Sequence, residues 1–366
     1  MARLFSILIA ITVLGVGCQP TARQNSVTPV RRPVDTVGFA RYNWQLDSLI
    51  TRIERYQGNR LAQALVDGDI HPETCWKVVI TPHDDHAYAG FLYPALFPSL
   101  RAKTVIMFGV AHKARQLNLE NIIVLGSHMA WQAPSGPIKI SGMRDVILRD
   151  ISPDICTIND SMMNIEHSLE AVVPYIQRYN PDAEILPVLV TAMDFPRMNE
   201  IGQRLAESVY KSMKAKNQVW GSDVALVISS DAVHYGDTDW GGKNYARFGT
   251  DSAGYRKAWL YEKEIIDSTL SGEITPEKIE RFTKYTVEES DFRQYKWSWC
   301  GRYSIPLGLL VAYHLERKFN VRLSGRLVGY STSIAMPAIP VSDLGMGLTA
   351  GASLHHWVGY AALGYE

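Results

Sequence analysis

Five short motifs each carry a side chain that can bind a metal or move a proton. They are Thr81-Pro82-His83, Gly109-Val110-Ala111-His112, Glu166-His167-Ser168, Ser229-Ser230-Asp231 with His234, and Trp299-Cys300-Gly301. Three of them follow or close an apolar, β-branched run of the kind that forms a buried parallel strand. In an open α/β sheet the carboxyl ends of the strands form the ligand crevice. Residues far apart in sequence are therefore expected to meet at one edge of one sheet.

The chemistry follows from the residue types. The imidazoles of His83 and His112 with the thiolate of Cys300 make a donor set suited to a transition metal, with positions left open for substrate or water. Each residue has a plainer reading as well. A histidine just after a strand is usually a hydrogen-bonded loop residue, and Cys300 lies in an aromatic stretch, Tyr295 to Arg302, that also suits a structural cysteine. A helix start near Cys300 would favour its thiolate. Asp231 and His234 are spaced so that one helical turn puts them on one face, where the carboxylate could fix the tautomer of a proton-transferring imidazole. A helix N-cap at Ser230 or Asp231, with His234 exposed, is compatible with that spacing. Asp84, Asp85 and His86 crowd around His83, facing either a metal or, more commonly for such residues, solvent.

The elements that must position these residues are legible as alternating strands and helices. Helical spacing covers Trp44 to Leu65, Ser168 to Gln177, Met198 to Met213 and Tyr255 to Thr269. Thr275-Pro276-Glu277 reads as an N-cap, first-turn proline and acidic residue opening another helix, and the apolar run Ile305 to Tyr313 as a core helix. Strands are expected at Trp76 to Ile80, Lys103 to Val110, Asn121 to Leu125, Glu184 to Val190, Asp223 to Ile228, Arg322 to Tyr330 and Trp357 to Leu363. Pro187 suggests an edge position or a local break. The alternation predicts a single α/β domain over residues 37–366, a mostly parallel central sheet flanked by helices.

Composition narrows the function class. Lys+Arg and Asp+Glu are both 37, so the formal net charge is zero and no nucleic-acid-binding surface is indicated. At the N-terminus, Arg3 precedes a short apolar stretch, Leu4 to Gly17, shaped like a secretory signal peptide. It ends at Gly15-Val16-Gly17-Cys18, which resembles a bacterial lipobox without the usual Leu three residues before the cysteine. The expectation is a signal peptide over 1–17, lipidation of Cys18, a flexible tether over 18–36 and attachment at the cell envelope. An uncleaved anchor or an ordinary signal peptide is the alternative. Beyond Cys18, Cys75, Cys156 and Cys300 leave at least one thiol unpaired, with Cys75–Cys156 a conceivable pair.

The ordered motifs resemble the Memo family, also called AmmeMemoRadiSam system protein B, which is related in fold to class III extradiol dioxygenases. The carrying residues are Pro82-His83 through Gly90, Gly109 to His112, Glu166-His167-Ser168-Leu169-Glu170, Ser229 to Gly236, Cys300-Gly301-Arg302 with Pro306, and Val358 to Ala362. The resemblance implies His83, His112 and Cys300 as metal ligands, with Asp231 and His234 flanking the open face and His234 as acid/base. Beside the resemblance, His86, Asp84, Asp85, His167 and Arg302 are further candidates for contacts with the ligands. The resemblance also implies iron or copper as cofactor, and AMMECR1-like and radical SAM partners. Asp84-Asp85-His86 and the signal peptide depart from the family pattern. Two functions fit: an iron- or copper-dependent, dioxygenase-like oxidoreductase, or a non-catalytic surface lipoprotein that binds a metal or a peptide.

Overall fold

The computed structural model describes residues 29–366; the expected signal peptide, Cys18 and most of the expected tether lie outside the described residues. Thirteen strands run β1 (Val30–Arg31), β2 (Val78–Thr81), β3 (Thr104–Val110), β4 (Ile123–Leu125), β5 (Ala130–Trp131), β6 (Ile138–Lys139) and β7 (Cys156–Ile158). They continue with β8 (Glu184–Val190), β9 (Val224–Ser229), β10 (His234–Gly236), β11 (Gly272–Glu273), β12 (Ser324–Thr332) and β13 (His356–Tyr365).

The large sheet has the order β11-β12-β13-β2-β9-β3-β8-β4-β7, with β10 paired to β13. Its centre, β2-β9-β3-β8, is parallel, and the strands joining on either side of that centre, β13 and β4, are antiparallel to it. Apart from Glu184 at the start of β8 the central strands are buried throughout, so alternate residues feed cores on opposite faces. Ile106 and Phe108 pack on one face with the helices Phe195–Ala215 and Ser304–Phe319. Val105 and Met107 pack on the other face with the helix Asn43–Asp67. The result is a single α/β domain with helices on both faces of the sheet.

Several local expectations shift. The helix beginning near Ser168 starts only at Val173, because residues 168–172 are turns. Pro187 does not mark an edge, since β8 lies between β3 and β4. On the β4 side, pairing reaches only Leu189 and Val190, and a bridge from Ile140 meets Ile185, so the missing proline N–H falls in the gap between them. The tether expected up to residue 36 ends earlier. Val30 and Arg31 pair with β5, and Arg31 is buried. Cys75, Cys156 and Cys300 are all free thiols, so the Cys75–Cys156 pair does not form.

These environments make the three thiols distinguishable. Burial pushes the Cys156 thiol up to about 12, and Cys300 is likewise buried, whereas Cys75 is partly exposed. Brief iodoacetamide treatment of the native protein at pH 8 is expected to alkylate Cys75 and to spare Cys156 and Cys300, because the thiolate is the reacting form. Peptide mapping that finds Cys156 modified as fast as Cys75 would contradict this packing.

Candidate metal centre

The parallel strands β2, β9 and β3 are neighbours, and each ends in one of the motifs. Their register pairs Thr81 with Ser229 and Phe108 with Ile228. His83, Asp231 and His112, lying just past the three ends, therefore converge. Cys300 arrives from a different direction, on the strap that precedes the helix Ser304–Phe319. Gly301 permits that approach, since a Cβ there would stand 2.1 Å from Ser230 Oγ. Asp231 N–H then donates to Cys300 Sγ at 3.1 Å, and Cys300 Sγ lies 3.4 Å from His83 Nε2.

His83, His112 and Cys300 offer donor atoms all within 4.8 Å of one another, a group able to hold a metal ion. The hydrogen bonds fix the tautomers that such a group needs. Ser229 Oγ donates to the Ser168 carbonyl, so it accepts from His83 Nδ1 (2.8 Å) and leaves the Nε2 lone pair facing Cys300. Glu166 accepts from the backbone N–H of His112 at 2.7 Å and from its Nδ1 at 2.9 Å, which frees His112 Nε2. Outer hydrogen bonds of this kind orient metal-binding imidazoles. Burial pushes His83 down to about 3, so the ring is neutral with its lone pair available. Burial would raise the Glu166 carboxyl, but the imidazoles of His112 and His167 and the Ser168 N–H hold it well below the usual range. The Cys300 thiol is pushed well up by burial and by the Asp231 carboxylate. A thiol held neutral in this way ionises against a cation, so metal uptake there would release a proton.

Asp231 and His234 share the site but not a helix. His234 opens β10 instead, antiparallel to β13, so the expected helical turn is absent. The loop still brings His234 Nε2 to 3.8 Å from Asp231 Oδ2. Burial works to raise Asp231, yet the imidazoles of His83 and His234 and the His83 N–H hold it at about 2. His234 Nε2 is buried and has no hydrogen-bond partner. Such an orphan is expected where a ligand or ion completes the site. Asp231, His234 and Cys300 form a second cluster, and His112, Glu166 and His167 a third.

Above these residues opens a cavity of about 450 Å³, with His83, His112, His167, Asp231 and His234 on its wall. Asp84 and Asp85 also line it. Asp84 accepts from Tyr360 Oη at 2.5 Å, and Asp85 from Thr349 N–H at 2.6 Å. They are thus tied into the wall rather than solvated. His86 is carried away: its Nε2 donates to the Ala171 carbonyl and its Nδ1 accepts from Ala40 N–H, inside an aromatic cluster with Tyr93 and Tyr175. The short helix His86–Ala89 turns it into the core. Arg302 does not support the ligands either, because its guanidinium lies 3.5 Å over Tyr295 and 4.7 Å from Tyr303. Tyr88 lines the cavity as well, whereas Trp297 and Trp299 are buried with their indole N–H groups on Glu262. Trp240 takes the wall position, stacked on His356 at 4.1 Å. Nothing in the spacing of Trp240 or His356 pointed to that role; Ser229 and Glu166, by contrast, sat inside recognised motifs.

The family model described as Memo-like protein matches residues 37–347. The chain belongs to the Memo-like family. A MEMO1 family protein of Aquifex aeolicus is 29% identical over 164 residues, covering 43% of this chain and 54% of the relative. One from Methanosarcina barkeri is 28% identical over 158 residues, covering 43% of this chain and 54% of the relative. One from Pyrococcus horikoshii is 21% identical over 278 residues, covering 73% of this chain and 83% of the relative. The chain thus spans about half the length of the first two relatives and most of the third.

The arm that holds Glu166 depends on Arg31. This buried guanidinium donates to the carbonyls of Met163 and Glu166, pairs with Glu170 at 2.6 Å and stacks on Trp131. Glu170 also accepts from the Val34 and Asp35 N–H groups at 2.8–2.9 Å. Breaking one side of a buried pair strands the other charge, so Arg31→Ala is expected to cost about 3–5 kcal/mol in denaturant unfolding. A loss below about 1 kcal/mol would mean that the arm is held by other contacts.

Proposed function

We propose that this Memo-like protein is a metal-dependent oxidoreductase in which His83, His112 and Cys300 hold iron or copper. The observation that carries the reading is the convergence of two tautomer-fixed imidazoles that line one cavity with a buried thiol. Nitrogen and sulfur donors suit both metals. Bound there, such a metal would supply one-electron redox chemistry and Lewis acidity. The chain's own residues do the rest. His234 lines the cavity and moves a proton at Nε2, which the ionised Asp231 carboxylate faces from 3.8 Å. Trp240, stacked on His356, gives the cavity an aromatic wall. The neutral His167 ring stacks on His112 at 5.0 Å, where it can contact a substrate directly.

Metal analysis of protein purified without chelator or a nickel column is the direct test. Cys300→Ser is expected to lose most of its metal, because a hydroxyl is a much poorer ligand. His234→Gln is expected to keep its metal while metal-dependent oxygen consumption falls by roughly a hundredfold, the scale of general acid–base catalysis. His234→Gln protein that purifies without metal would make His234 a ligand. Wild-type protein that holds metal but consumes no oxygen under reducing conditions would favour metal or ligand binding without catalysis.

We also propose that the mature chain begins at Cys18 and is attached to the envelope membrane through lipid on that residue. The support is the apolar Leu4 to Gly17 run directly before Cys18. Among the described residues no helix is long and apolar enough to cross a membrane. One acyl chain holds weakly, so stable attachment needs more than one. Cys18→Ala is expected to move the protein from the membrane to the soluble fraction; a variant that fractionates with membranes as wild type does would rule lipidation out.

A further inference from the structure

The helix Ser252–Ile265 carries a carboxylate that the proposed chemistry does not use. Glu262 is fully buried and has no ion-pair partner among the described residues. Four donors converge on it. Its Oε1 accepts from the indole N–H of Trp297 at 2.5 Å and of Trp299 at 2.6 Å. Its Oε2 accepts from the backbone N–H of Val233 at 3.1 Å and from Tyr330 Oη at 3.2 Å. A buried carboxylate without a counter-ion is costly, and an apolar residue would fill the space more cheaply. The arrangement gains direction rather than stability.

Three of the four donors belong to the two segments that carry Asp231, His234 and Cys300; the fourth, Tyr330, lies on β12. Val233 lies between Asp231 and His234, and Trp299 precedes Cys300. These segments also touch directly. Val233 bridges Trp299, His234 N–H donates to the Ser298 carbonyl at 3.1 Å, and Ser298 Oγ donates back to the His234 carbonyl at 2.5 Å. The 297–301 strap and residues 230–233 lie outside the parallel sheet and share a single isolated bridge, so the register of that sheet does not fix their separation.

We propose that Glu262 is a positioning residue: its two oxygens clamp the 297–301 strap to the 230–234 segment and so set where Cys300 Sγ stands against His83, Asp231 and His234. The proposal rests on the metal-binding reading of that centre. The clamp needs both oxygens as acceptors. In Glu262→Gln the amide NH₂ must face either two indole N–H groups or the Val233 N–H, and neither arrangement is satisfied.

Cobalt(II) titration of the full chain tests this, read by the thiolate-to-cobalt charge-transfer absorption and by the binding constant. Wild-type protein is expected to develop the band. Glu262→Gln is expected to bind cobalt about ten- to a hundredfold more weakly, the range for lost outer-shell partners, with a weakened or shifted band. Tyr330→Phe removes a donor from the same carboxylate but leaves both segments held, so its affinity and band should match wild type. If Glu262→Gln does not fold, Trp299→Phe takes its place and should weaken binding where Tyr330→Phe does not. A folded Glu262→Gln, or in its stead Trp299→Phe, with wild-type affinity and spectrum would overturn the clamp while leaving the metal site standing. Wild-type protein without the band would overturn the metal site itself, and the clamp with it.

Discussion

The parallel register of β2, β9 and β3 is the constraint on which the site depends. Backbone hydrogen bonds align Thr81 with Ser229 and Ile106 with Leu226, so three chain exits leave the sheet side by side. A strand slipped by one residue would turn every side chain to the opposite face. The buried alternation of Val79 and Ile80, or Met107 and Phe108, between the two cores makes such a slip very costly. The apolar packing that stabilises the fold therefore also fixes the spacing of His83, Asp231 and His112.

Hydrogen bonds then refine what the register delivers. Ser229 and Glu166 each accept the Nδ1 proton of a histidine, so both rings present Nε2 to the same point. The third donor, Cys300, comes from outside the parallel sheet and is placed by Gly301, by the Asp231 N–H and by contacts along its strap. The centre thus joins a rigid half, built on strand ends, to a half whose position depends on side-chain contacts. Burial keeps the His83 ring neutral and the Cys300 thiol protonated, in keeping with a site meant for a cation.

What could be read from the sequence follows this division. The buried strands were legible because Val, Ile and Leu run continuously where both faces are covered. The motifs at their carboxyl ends were legible for the same reason, together with their order along the chain. Orientation was not. His86 sits three residues after His83, yet a short helix turns it to the Ala171 carbonyl, and Arg302 follows Cys300 closely but lies on Tyr295. The spacing of Asp231 and His234 fitted a helical turn, but pairing between β10 and β13 overrode it. Pro187 had a gap in its outer neighbours rather than an edge. In each case the deciding partner is distant in sequence, and no local window contains it.

Arg31 carries this distance to its extreme. Its contacts with Met163 and Glu166 span 132 and 135 residues, and they close the arm that holds His112. Contacts of such separation form late, since the intervening chain must first be ordered or looped out. During synthesis, the first described strand has nothing to pair with until Ala130 and Trp131 exist, and Arg31 has no carboxylate until Glu170 follows. The N-terminal end of the fold is thus made first and seated late, and the mouth of the cavity is completed only when the chain's beginning returns to its middle.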